Sequence, residues 1–211
     1  KQERTKDAAD TLGLFAQRQP NHAQAPVLQA RVIDIYLANG FANQALDAKR
    51  LYASRYGVDS AFRRANPEGW ERAKPLLKTH IADLARHHHA QAQRTKAAAE
   101  VDEAVKWYRT ALVSFPEDAA APAQNFLLGE LLFESGRFPE AAEAYEKTAY
   151  GYPRHAKSAD AGYAALLSFA EVTKRAAAPD KTAAQRAGVA SALRFAAAHP
   201  DDARTTGVLT D

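Results

Sequence analysis

Two stretches of this chain, residues 25–57 and 121–153, carry the same punctuation at the same spacing. Pro26 falls on Pro122, Gly40 on Gly136 and Ala45 on Ala141, a constant offset of 96 residues. A third stretch, 101–116, matches the second half of that unit. There Ala104 falls on Ala141, Tyr108 on Tyr145 and Pro116 on Pro153, an offset of 37. Repetition on this scale means that one supersecondary unit recurs. Each copy then buries its apolar face against its neighbours, because it cannot do so alone.

The unit is a pair of helices. In 27–40, Val27, Ala30, Ile33, Ile35 and Leu37 stand at helical spacing and Gly40 supplies a C-terminal stop. The segments 41–57, 101–116, 126–136, 138–153, 158–176 and 182–200 show the same period, and all but 158–176 end at Gly or Pro. Nothing alternates as a strand would. The expectation is an all-α chain of about nine helices in antiparallel pairs joined by short turns. Two places break the rhythm. Residues 57–75, with two prolines, are expected to be an irregular insertion, with a short helix from Pro67 and a fresh start or kink at Pro75. Residues 174–185 are expected to form a long connection before the last helix.

At this point the chain resembles the tetratricopeptide repeat family. Residues 122–153 place Leu128-Gly129, Gly136, Ala141, Tyr145 and Pro153 in the slots of that family's unit. Asn125 stands where the family often has Trp, and Thr148 where it often has Ala. The resemblance is clearest over 119–153, and the pair at 156–200 is the most degenerate. It implies a right-handed superhelix of helix pairs over 1–211, a solenoid whose concave groove binds protein or peptide. The stretch 136–166 is similar to bacterial cell-envelope members of the family. That implies a periplasmic or outer-membrane-associated scaffold, with a cytoplasmic location as the alternative.

Composition excludes several function classes. There is no Cys, which removes disulfides, Cys-ligated zinc and thiol nucleophiles. Hydrophobic residues make up 46% and charged residues 25%, the range of a chain that folds around a core. No apolar run approaches the ~18 residues of a membrane span. The chain also lacks Met and is read as a piece of a longer polypeptide. It carries no G-x-S-x-G, phosphate-binding Gly-rich loop, H-E-x-x-H or EF-hand loop. The expectation is therefore a non-catalytic protein without cofactor or metal.

Three candidate sites remain. On the helix of the clearest pair, Phe126, Glu130, Phe133 and Glu134 lie opposite the packing stripe, and Val27, Ala30, Asp34 and Leu37 are their counterparts in the 26–57 pair. An apolar and acidic groove of this kind suits an extended peptide or a partner helix. Residues 62–96 hold eight basic residues, among them Arg63, Arg64, Arg72, Lys74, Lys78 and Arg86, against Glu68, Glu71 and Asp83. Such a face suits an anionic polymer, an exported polysaccharide or a nucleic acid. Few aromatics are interleaved with it, apart from Phe62 and Trp70, which disfavours nucleic acid. A helical annex of an enzyme whose active domain lies elsewhere is the third reading. Finally, His87, His88 and His89 are consecutive, so on a helix they point about 100° apart and cannot share one ion. His80, Asp83 and His87 make a looser metal set, but the better expectation is a packed His88 with His87 and His89 flanking it toward solvent or the 57–75 insertion.

Overall fold

A computed structural model of the chain describes residues 2–210, with side chains from residue 6 onward. It is all-helical over those residues. In chain order the helices are α1 Gln2–Arg18, α2 Ala25–Ala38, α3 Ala42–Tyr56, α4 Ala61–Ala65, α5 Pro67–Thr95, α6 Ala98–Ser114, α7 Ala121–Glu134, α8 Phe138–Tyr150, α9 Ser158–Arg175, α10 Ala178–Ala198 and α11 Thr205–Val208. Two of the eleven, α4 and α11, are single turns absent from the expected set.

Each helix packs mainly on the next one along the chain. The main step over a neighbour is α3 onto α5, across the short α4, with a smaller contact of α2 on α5. A continuous apolar cluster follows this order from Ala9 to Ala165. Local chemistry sets the boundaries. Pro26, Pro122, Pro139 and Pro179 each sit in the first turn of a helix, where no backbone N–H is required. The repeat at offset 96 reappears as geometry. Gly40 and Gly136 both take the left-handed conformation, with φ of 76° and 77°. In both turns the following residue donates five residues back, Phe41 N to the Tyr36 carbonyl at 2.9 Å and Arg137 N to the Leu132 carbonyl at 2.8 Å. These are paired Schellman turns, and they fold α3 back on α2 and α8 back on α7.

Close packing explains the small residues. Gly129 of α7 faces the Tyr145 ring of α8, and a Cβ there would come within 2.8 Å of it. Gly162 of α9 is wedged between the Tyr150 hydroxyl of α8 and the Phe195 ring of α10, with a Cβ again within 2.8–2.9 Å. Asn125, in the slot where a Trp was the family norm, is buried. It donates to the Ala144 carbonyl at 2.6 Å and to Thr148 Oγ1 at 2.9 Å. The two departures from the repeat pattern thus compensate each other across one helix pair.

Both irregular segments are shorter than expected. Helix α5 runs unbroken for 29 residues from Pro67 through Pro75. A mid-helix proline costs about 3 kcal/mol, but Trp70, Ala73, Leu77, Ile81 and Leu84 are buried on either side of Pro75 and hold the helix. The connection before α10 is only Ala176–Ala177, because Pro179 and Asp180 are first-turn residues rather than linker.

Candidate functional site

The residues expected to line a groove are placed differently in the two pairs. In α7, Phe126 and Phe133 are half-buried against the core. Phe126 meets Tyr145 edge-on at 5.6 Å and Phe133 meets Phe138 at 5.1 Å. Glu130 lies between them, half-buried, and Glu134 is exposed one turn on. The carboxyl of Glu130 is pushed above its usual range, first by burial and then by the Glu134 charge, with Lys157 opposing. Lys157 at the start of α9 holds its ammonium 5.2 Å from the centre of the Phe126 ring. Glu134 accepts from Gln93 Nε2 of α5 at 3.3 Å. Together these residues form a strip of aromatic edges and carboxylates at the junction of α5, α7, α8 and α9.

In α2 the counterparts are more open: Val27 is 50% and Leu37 52% exposed, Asp34 is exposed, and Ala30 is buried. They lie on the far side of α2 from a cleft of about 570 Å³ between α1, α2 and α3. Its α2 wall is Gln29, Val32 and Tyr36; Leu14 and Leu51 add apolar surface from α1 and α3. Two polar groups of the cleft are matched to each other, Arg55 donating to Gln29 Oε1 at 3.4 Å, and Asp47 pairs with Arg50 outside it at 2.7 Å. The α1 period of Ala9, Leu12 and Ala16 was the sequence signal for this wall, and sequence reasoning missed it.

The six cations named from the 62–96 segment do not form one face. Arg72 and Lys74 project about 200° apart on α5, and five of the six already have acceptors. Arg63 donates to the Val58 carbonyl at 2.8 Å and Arg64 to the Asp59 carbonyl at 2.7 Å. Lys74 pairs with Glu71 at 3.4 Å, Lys78 with Asp118, and Arg86 with Asp83. Arg63 and Lys74 also cover the buried Trp70 ring, at 4.4 and 5.3 Å. Arg72 is exposed.

His80, His88 and His89 belong to the interior, and His87 is half-buried. His88 is buried and bonded at both ring nitrogens, Nδ1 to Glu100 Oε2 of α6 at 2.6 Å and Nε2 to Arg50 Nη2 of α3 at 3.0 Å. A guanidinium can only donate, so Nε2 accepts and Nδ1 carries the proton given to Glu100. His89 does not flank it toward solvent as expected. It is 7% exposed and its Nδ1 meets the Tyr108 hydroxyl of α6 at 3.0 Å. His88 thus reaches both α3 and α6, and His89 reaches α6. Burial pushes the Tyr108 phenol up to about 12 and lowers His89, with Glu134 opposing the latter. His80 is buried edge-on to Tyr52 at 4.8 Å with neither ring nitrogen bonded. Asp83, part of the loose metal set, is held by Lys49 at 2.6 Å and by Arg86. Burial alone would raise its carboxyl, but those two bonds outweigh it and hold the group below its usual range. No three His, Cys, Asp or Glu side chains among the described residues gather as metal ligands. No described helix is long and apolar enough to cross a membrane. Comparison with protein-family models and with curated proteins finds none that matches the chain.

Proposed function

We propose that this chain is a non-catalytic scaffold of the tetratricopeptide repeat kind, which binds a protein partner along the α7 strip. The observation that carries the reading is the strip itself, where half-buried aromatics stand beside the Glu130 carboxylate, which the rest of the fold leaves under-compensated. The neighbour-to-neighbour packing, the duplicated Schellman turns and the Gly129–Tyr145 contact support a superhelical stack. In such a stack the first helices of successive pairs, α5, α7 and α9, line one side. Recognition there is shape and apolar complementarity with a few charge pairs. A bacterial envelope location rests on the resemblance of residues 136–166 alone.

The test is capture from envelope and soluble extracts of the source cells by the whole chain, beside its Phe126→Ala/Phe133→Ala variant at low and high salt. A protein retained in high salt by the parent and lost by the folded variant supports the reading. A variant that melts places both rings in the core and removes the strip as a binding surface. Polymer bound equally by both and released by salt favours polyanion binding instead.

A further inference from the structure

We infer that the α7 strip receives a cationic side chain, a lysine or arginine carried on an apolar segment of the partner protein. This rests on the reading above and specifies its chemistry. Three independent features converge on it.

First, Glu130 and Glu134 are one turn apart on α7 and push against each other, and no hydrogen bond to Glu130 relieves that push among the described residues. Glu134 holds only the neutral Gln93 amide, at 3.3–3.4 Å. A half-buried carboxylate beside a like charge is poorly solvated, so a cation brought to it gains more than it would at an open surface.

Second, His89 Nε2 is buried without a hydrogen-bond partner among the described residues, and the Glu134 charge acts on its ring. The ring cannot turn away, because its Nδ1 is fixed by Tyr108. A buried polar atom left unpaired within the field of a carboxylate is the lining of a polar site and not of an apolar seam.

Third, the fold shows that the strip accommodates an ammonium. Lys157 lies over the Phe126 ring and its charge partly offsets that of Glu130. Its side chain is more than half exposed and is shared with Asp160 at 3.4 Å. A partner cation would meet the same aromatic face and the same carboxylates, while Phe126 and Leu127 take the adjoining apolar groups.

The probes are three short fluorescein-labelled peptides in which leucine alternates with lysine, serine or glutamate. Binding is read by polarisation against the whole chain, its Glu130→Gln/Glu134→Gln variant, and a Glu68→Gln/Glu117→Gln control that removes two exposed carboxylates elsewhere. The lysine peptide should bind best and lose about tenfold with the first variant, in keeping with loss of a charge-assisted contact, and little with the control. Circular dichroism melting should show the first variant folded. Equal losses in both variants mean diffuse charge attraction and overturn the inference. If the serine or glutamate peptide binds as well as the lysine one, and Phe126→Leu weakens it, the peptide-binding reading stands and the cation preference falls. If no peptide binds, both fall.

Discussion

His88 and Glu100 join α5 to α6 through a 2.6 Å bond, and the other nitrogen of the same ring reaches Arg50 of α3 at 3.0 Å. One imidazole thus ties three helices whose bonded residues are 38 and 12 positions apart. Replacing Glu100 with leucine leaves the Nδ1 proton of a buried ring without an acceptor, a loss of about 1–3 kcal/mol. Glu100→Gln keeps an acceptor in place and should cost less than half of that. Urea midpoints followed by circular dichroism compare the two. Equal midpoints for Glu100→Leu and the parent would show that the bridge carries no stability.

His80 makes the stack sensitive to acid. Burial, with the Lys49 charge adding to it, lowers its pKa to about 4, against an ordinary value of 6.5. Between those values the unfolded chain binds a proton that the folded chain refuses, so stability falls as the pH drops from 6.5 toward 4 and levels off below that. The slope contributed by one such group is at most about 1.4 kcal/mol per pH unit. His89 and His199 are lowered in the same direction, chiefly by burial. His80→Leu keeps the packing against Tyr52 and removes the largest of these titrations. Its urea midpoint should therefore change less between neutral and mildly acidic pH than that of the parent, and an unchanged pH profile would refute the assignment.

Glycines in two helices should respond oppositely to the same substitution. A Cβ at Gly129 meets Tyr145 at 2.8 Å, while at Gly13 of α1 it meets nothing within 4 Å. Gly13→Ala should raise stability by about 0.5–1 kcal/mol, since alanine reduces the freedom of the unfolded chain and favours helix. Gly129→Ala gains the same term but forces α7 and α8 apart around a ring that Phe126 also holds, at a cost of about 1–3 kcal/mol. Thermal melting of the two single variants checks the pair of signs.

What was legible in the sequence is what local chemistry determines. Pro26 and Pro122 announce helix starts, Gly40 and Gly136 announce left-handed turns, and the offset of 96 between them survives as paired geometry. Pro179 was misjudged because a proline among Ala, Asp and Lys looks the same in a loop as in a first turn. Pro75 gave the same ambiguity, and only the buried side chains around it decide for an unbroken helix. Contacts between helices left no mark on either partner. Nothing beside His89 signals Tyr108, and nothing in the basic 62–96 segment signals that Lys78 would reach Asp118, forty residues on. The α7 strip was visible as a face, but the burial that raises Glu130, and the Lys157 charge that only partly offsets it, appear only in the folded chain.

That charge has a consequence for stability that is independent of any partner. Burial and the neighbouring Glu134 raise the Glu130 carboxyl, so its folded-state pKa lies above its unfolded value. A group shifted this way contributes stability below its unfolded pKa, and that contribution is lost as the pH rises through the folded one. At neutral pH the charged carboxylate is therefore a net cost to the fold. Glu130→Gln keeps the side-chain shape and removes the charge, so it should raise the melting temperature at neutral pH. The gain should shrink as the pH falls toward the ordinary carboxyl range, where the parent residue is itself protonated. Melting curves of parent and variant across that interval decide it. A variant less stable than the parent at neutral pH would mean that Lys157 over-compensates the carboxylate, and the strip would then have no charge left to offer a partner.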